Sequence, residues 1–226
     1  MPDALHPKEL VLVGGGHAHL AVLQALRRQA WPAVSVTLVT PEPTLCYSGM
    51  VPGWLAGHHR SEALHIPLAP LARAAGVRWR QDRVSAVDAA RRTVQLASGE
   101  ALAYDVLSLA CGAVVDGGAL HGFSGPLLPT RPLEALLAGW PPLKAHLAAH
   151  GGHLVVLGGG AAGVELALAA RHVLRDARRV PISLVIGAGL LPGHATAGRA
   201  LVRRACEQAG ITLREGRVNQ AAGPTL

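Results

Sequence analysis

Aromatic side chains are scarce in this chain, with four Trp, two Tyr and one Phe among 226 residues. Single-stranded nucleic acids are commonly held on stacked aromatic platforms, so nucleic-acid binding is disfavoured. Lysine is rarer still. Lys8 and Lys144 are the only two, and the formal charge of +7 is carried almost wholly by scattered arginines, with small clusters at Arg27-Arg28, Arg91-Arg92, Arg178-Arg179 and Arg203-Arg204. Such pairs suit solvated helix ends and loops, and a mild positive balance is also compatible with anionic cofactors or peripheral contact with a membrane surface. Three cysteines, Cys46, Cys111 and Cys206, stand far apart without a Cys-x-x-Cys pair, and each is expected as a small buried hydrophobe. Among twelve histidines only His146 and His150 have helical His-x-x-x-His spacing, with Leu147 where a zinc hydrolase carries its glutamate, so no metal site is expected. Apolar runs fall short of the ~20 residues that span a bilayer, and Met1-Pro2-Asp3 opens without the pattern of a secretory signal. These absences predict a cytoplasmic chain without a transmembrane segment.

Glycine is abundant, at 27 residues, and half the chain is hydrophobic, ample for a packed core. Two of the glycine clusters share one context. Gly14-Gly15-Gly16 follows the apolar run Glu9 to Val13, Gly158-Gly159-Gly160 follows His153 to Leu157, and each leads into an alanine- and leucine-rich helical stretch. Strand, glycine turn and helix in that order open a dinucleotide site: without side chains the backbone can approach a pyrophosphate, whose charge sits at the positive end of the helix. The second copy is regular, with Gly158, Gly160 and Gly163 in the Gly-x-Gly-x-x-Gly pattern and Glu165 close behind. At the first, Gly14 and Gly16 fit, but His19 stands at the third position, which puts the usual close helix-to-strand contact in doubt.

After the first turn, Leu20 to Arg28 reads as a helix and Val34 to Val39 as a strand, completing a β-α-β unit. The end of that second strand commonly carries an acid that holds ribose hydroxyls. Thr40 and Glu42 are the candidates, with an exposed loop glutamate as the plain alternative for the latter. Cys46-Tyr47-Ser48-Gly49-Met50-Val51-Pro52-Gly53 is too apolar for a free linker and should pack against something, a flat ring system being well suited. Leu68 to Ala75 reads as a helix and Val77 to Arg80 as a strand, and Val84 to Val87, Thr93 to Leu96 and Leu102 to Val106 as a small antiparallel meander. A further strand, Val106 to Ala110, ends at Cys111-Gly112. Gly117 to Pro129 is the natural boundary, and Leu133 to Ala149 a helical connection interrupted by Pro141-Pro142. The second unit continues with a helix Ala161 to Leu174, strand Ile182 to Ile186, helix Ala197 to Ala209 and strand Ile211 to Arg214. The fold class is therefore α/β, with two Rossmann-like units on parallel sheets, a small antiparallel meander, and a second unit left incomplete at an unpaired strand edge. Residues 1–116, 117–151 and 152–226 form the first nucleotide domain, the connection and the second nucleotide domain.

On Val11-Leu12-Val13-Gly14-Gly15-Gly16-His17-Ala18-His19 and Tyr47-Ser48-Gly49-Met50-Val51-Pro52-Gly53, the chain resembles the N-terminal part of the FAD-dependent pyridine nucleotide-disulfide oxidoreductases, which include type II NADH dehydrogenases and sulfide:quinone oxidoreductases. It looks closest to the branch found fused or adjacent to selenide, water dikinase. The resemblance implies that Gly14, Gly16, His17 and Ala18 form the FAD pyrophosphate turn, that Thr40 or Glu42 holds the adenosine ribose, and that Met50, Val51 and Pro52 lie against the isoalloxazine. It places the backbone of Val84 near the adenine. Leu109-Ala110-Cys111-Gly112 corresponds to the Ala-Thr-Gly signature leaving the flavin domain, with Ala110 and Gly112 retained and Cys111 in place of threonine. Gly158, Gly160, Ala161 and Gly163 match the NAD(P)H turn, and Glu165 either faces flavin and nicotinamide as a catalytic residue or partners the helix dipole. The acid that favours NAD is replaced by Gly187-Ala188-Gly189, with no arginine there for a 2′-phosphate, so NADH and NADPH are not separated.

The implied activity is hydride transfer from NAD(P)H through FAD to a quinone or another small-molecule acceptor. Sulfide:quinone oxidoreduction and a non-catalytic nucleotide-binding module are the alternatives. Family members continue into a completed flavin domain and a C-terminal interface domain, through which a homodimer would form. The 226 residues are accordingly expected to be a fragment or truncated relative that binds FAD weakly or not at all, whereas the full-length protein carries it.

Overall fold

A computed structural model describes residues 7–115, 126–176 and 180–216. It divides into two units, Met1–Cys46 with His65–Ala113, and Tyr47–Leu64 with Val114–Leu226. Most of the expected boundary, including Gly117, Gly118, Gly122 and Gly125, lies outside the described residues, as do the first six residues and the last ten.

The first unit is built on β1 (Lys8–Val13), α1 (His17–Arg28) and β2 (Val34–Val39). Its sheet is completed by β5 (Arg78–Arg80) and β9 (Val106–Leu109), in the order β5-β2-β1-β9 with every pair parallel. β1 is central and loses both faces to the core, which is why Leu10 to Val13 reads as a continuous apolar run and not an alternation. One face carries Leu12, Val36 and Leu38, packed under Leu23 and Leu26 of α1 and Ala72 of α3 (Leu68–Ala74). The other carries Val11, Val13 and Val39 against Val94 and Leu96, with Val84 and Leu102 at its margin. Those residues come from the antiparallel meander β6 (Val84–Asp88), β7 (Thr93–Leu96) and β8 (Ala101–Ala103). Val106, where the meander is expected to end and a further strand to begin, opens parallel strand β9 beside Leu10. A short antiparallel pair, β3 (Thr44–Cys46) and β4 (His65–Pro67), brackets the segment that leaves for the second unit.

In the second unit β10 (Leu154–Leu157), β11 (Ile182–Ile186) and β12 (Ile211–Glu215) form a parallel sheet in that order, crossed by α5 (Ala161–Val173) and α6 (Thr196–Gln208). Ile182, Leu184 and Ile186 of the middle strand are buried, as are Ala167 and Ala170 of α5. Small residues on that helix let it lie close to the sheet.

Two elements differ from their sequence reading. The apolar segment after Cys46 is not a loop: it forms a turn over Ser48–Met50 and then α2 (Val51–Leu55), with Val51 and Leu55 buried and the helix packed on α5. α4 (Leu133–His150) runs uninterrupted for 18 residues through Pro141 and Pro142. A proline inside a helix removes a hydrogen bond and crowds the preceding turn. Both prolines are exposed, and buried Leu133, Leu136 and Trp140 before them and Leu147 after them keep one apolar stripe continuous.

Candidate functional site: two glycine turns

In the first unit β1 ends at Val13 and the chain turns through Gly14, whose φ of +91° is costly for any residue with a Cβ. Its N–H donates to the Val39 carbonyl at 2.8 Å, and Gly16 N–H donates to the Ala110 carbonyl at 3.2 Å. The turn is thus tied to both strands that flank β1. A side chain would not fit. A Cβ on Gly14 would run into the Ala110 carbonyl, one on Gly16 would approach the same oxygen to 2.6 Å, and one on Gly15 would lie 2.6 Å from Leu68 Cδ1. Gly16 caps α1 without a side-chain bond, so the helix N-terminus is left to whatever lies in front of it. The N–H groups of Gly15 and Ala18 take no acceptor among the described residues. His17 and Ala18 are exposed in the first helical turn.

His19 departs from the pattern in identity and restores it in function. The side chain is 1% exposed, with Nδ1 2.6 Å from the Gly14 carbonyl oxygen and Nε2 3.0 Å from Ser108 Oγ on β9. The helix-to-strand contact that a glycine would make through its bare Cα is made here through an imidazole. A carbonyl can only accept, so Nδ1 carries the proton and Nε2 accepts from the serine hydroxyl. Burial holds the imidazole below the ordinary histidine value, partly opposed by the bond to Gly14.

At the end of β2, Thr40 is buried, donates its N–H to the Arg80 carbonyl at 3.1 Å and turns its hydroxyl toward the Glu42 carbonyl at 3.5 Å. Glu42 is exposed, and its carboxylate has no partner among the described residues. Of the two ribose candidates, only Glu42 presents an unengaged polar group. Ala110 closes the other side of the turn, donating its N–H to the Val13 carbonyl at 2.8 Å. Gly112 has φ +78°. Cys111 is exposed, contrary to its expected burial, with its thiol 3.5 Å from the Val13 carbonyl. Its strand neighbour does not cover it because the chain has already left the sheet. Cys46 and Cys206 are buried, and burial pushes the Cys206 thiol up. Gly14, Gly16, Thr40 and Ala110 are therefore assembled around one turn, with Glu42 at its edge and Val84 on the meander that backs β1 and β2.

The second turn repeats the plan within the other unit. Gly158 has φ +117° and donates its N–H to the Val185 carbonyl at 2.9 Å. A Cβ on Gly163 would collide with the Gly158 carbonyl, which is the close contact the third glycine exists to permit. Gly159 is pinned from the far side, where a Cβ would lie 2.5 Å from the Gly189 carbonyl and where Leu191 N–H donates to the Gly159 carbonyl at 2.7 Å. That use of Gly189 had no signal in the glycine spacing. The space in front of Gly160 is open, and the N–H groups of Gly160 and Ala161 take no acceptor among the described residues. Glu165 is exposed on α5, its carboxylate unpaired among the described residues. Met50 and Pro52 are half-buried and Val51 is buried, all at the start of α2, which packs on the helix that carries Gly163 and Glu165.

Histidines separated by 114 positions also meet in this unit, His58 Nε2 lying 3.2 Å from His172 Nε2. Among the described residues no group of three or more His, Cys, Asp or Glu side chains could hold a metal ion, and no helix is long and apolar enough to cross a membrane.

Two parallel sheets, each opening through a side-chain-free turn onto a helix N-terminus, define a protein with two dinucleotide-type units. Residues 8–224 match the pyridine nucleotide-disulphide oxidoreductase family, and the chain belongs to it. A sulfide-quinone reductase of Aquifex aeolicus (strain VF5) is 29% identical over 112 residues, 50% of this chain and 26% of the relative. Among solved structures, the sulfide:quinone oxidoreductase from the same hyperthermophilic species superposes with a TM-score of 0.74 at 22% identity, over 95% of this chain and 52% of that one. The NDH2 of Plasmodium falciparum, solved in complex with NADH, gives a TM-score of 0.74 at 15% identity over 92% and 48%. The chain thus spans about half the length of these solved relatives.

Proposed function

We propose that the chain is the nucleotide-binding part of an FAD-dependent oxidoreductase that takes hydride from NAD(P)H and delivers electrons to a quinone or another small acceptor. The observation that supports this best is the pair of turns: each is closed to any Cβ at its first glycine or third position, yet presents unpaired N–H groups at a helix N-terminus. That combination suits a pyrophosphate. The first turn fits FAD. Gly15 and Ala18 N–H would meet its pyrophosphate, the Glu42 carboxylate its ribose hydroxyls, and the backbone at Val84 its adenine, while Gly112 would let the chain pass the ring system. Thr40 in this reading supports the turn from behind and does not touch the ribose. The second turn fits NAD(P)H, through the N–H groups of Gly160 and Ala161, with Glu165 next to the reacting rings.

When bound, FAD accepts hydride from a nicotinamide and passes its electrons on, and the protein's part is to position and to exclude competing reactions. Homodimerisation through a C-terminal domain and peripheral contact with a membrane belong to the same proposal. Absorbance spectroscopy of the purified protein tests the flavin: bands near those of protein-bound FAD, retained through gel filtration, support the reading. A full-length protein that remains colourless after incubation with FAD contradicts it.

Sulfide oxidation is a second reading, favoured by the Aquifex relative and by the exposed thiol of Cys111 next to the first turn. Native labelling with a thiol reagent should modify Cys111 alone, with Cys46 and Cys206 reacting only after denaturation. If Cys111 is also inert, the sulfide reading fails.

A further inference from the structure

The two turns solve one packing problem in different ways. In the second, the carbonyl of the first glycine, Gly158, is met by the bare Cα of Gly163 five residues on. In the first, the carbonyl of Gly14 is met by the imidazole of His19, again five residues on, at 2.6 Å. The histidine adds a second anchor through Ser108, 3.0 Å from Nε2, so α1, the turn and β9 are joined by one buried ring. In a trans peptide the carbonyl and the following N–H point in opposite directions. A carbonyl drawn inward by His19 therefore sends the Gly15 N–H outward, and that N–H has no acceptor among the described residues. A hydrogen bond accepted at the carbonyl also polarises the peptide and strengthens the N–H as a donor.

We infer that His19 is a positioning residue of the cofactor turn: by holding the Gly14 carbonyl through Nδ1–H, it aims the Gly15 N–H at the pyrophosphate of the bound dinucleotide. This rests on the first turn being the FAD site. It replaces close packing, which fixes a glycine turn sterically, with a hydrogen bond that fixes its dipole.

Asparagine and glutamine separate positioning from packing, because an Asn amide can reach the place of Nδ1 and donate to Gly14, while a Gln amide reaches the place of Nε2 and pairs with Ser108 instead. Wild type, His19→Asn, His19→Gln and His19→Leu are stripped of flavin, their FAD dissociation constants measured by fluorescence titration and their thermal unfolding followed without FAD. Loss of the clamp in His19→Gln and His19→Leu should weaken FAD about 10- to 100-fold, whereas His19→Asn should stay within about threefold of wild type although it also loses stability. If His19→Leu does not fold, the Asn and Gln variants alone decide. Equal affinity losses in Asn and Gln, or losses that simply follow the fall in melting temperature, overturn the inference and leave the FAD reading intact. A full-length wild-type protein that binds no FAD overturns both.

Discussion

A buried histidine that stays neutral gives the fold a dependence on acid whose sign can be worked out. Unfolded, His19 takes up a proton near the ordinary value of about 6.5. Folded, burial holds it lower. Below pH ~6.5 the unfolded chain therefore binds more protons than the folded one, and stability that is complete above that pH is lost as the pH falls toward the folded value. Urea unfolding of wild type and His19→Asn between pH 7.5 and 5 should show a steeper loss in wild type; parallel curves would mean that the ring is not held neutral. Nothing in the sequence foretold this role. His19 stood out only as a missing glycine, and its partner Ser108 lies 89 residues away on β9. Cys111 was misread for a related reason: burial of a single residue just beyond a strand depends on where the chain turns, which composition does not encode.

At the scale of elements, the strand–glycine–helix units were legible because three local signals coincide there: a short apolar run, a turn that needs positive φ, and an alanine-rich stretch able to lie close to a sheet. The doubly buried β1 and the meander behind it followed from the same patterning. α2 and α4 were less legible. α2 is five residues of mixed propensity made helical by packing on α5, and α4 contains two consecutive prolines that its flanking apolar stripe overrides. The second turn offers a test in which stability and binding separate. Gly163→Ala forces a Cβ into the Gly158 carbonyl, so α5 must lift from the sheet, at a cost of about 1–3 kcal/mol. Gly160→Ala meets no atom within 4 Å and keeps an ordinary φ of −73°, so stability should hold or rise by about 0.4–1 kcal/mol. Its methyl group nevertheless occupies the space in front of the turn, and NAD(P)H affinity should fall. Chemical denaturation together with nucleotide titration checks both; undiminished affinity in Gly160→Ala would remove the second turn as the nucleotide site.

For the whole molecule, two dinucleotide-type units in one chain fit the proposed transfer between two cofactors, and residues 8–224 match the pyridine nucleotide-disulphide oxidoreductase family. The charge of +7 on a chain with only two lysines is spread over both units and suits two polyanionic cofactors without specifying either. β11 ends at Ile186 and is followed by Gly187-Ala188-Gly189, with neither an acid for a ribose hydroxyl nor an arginine for a 2′-phosphate, so NADH and NADPH are both to be tried. Anaerobic addition of NADH, and separately NADPH, to the FAD-loaded protein while the flavin absorbance near 450 nm is recorded tests the central claim most directly. The account predicts bleaching by at least one of them and return of colour when a quinone is admitted. Bound flavin that neither nucleotide bleaches would contradict it.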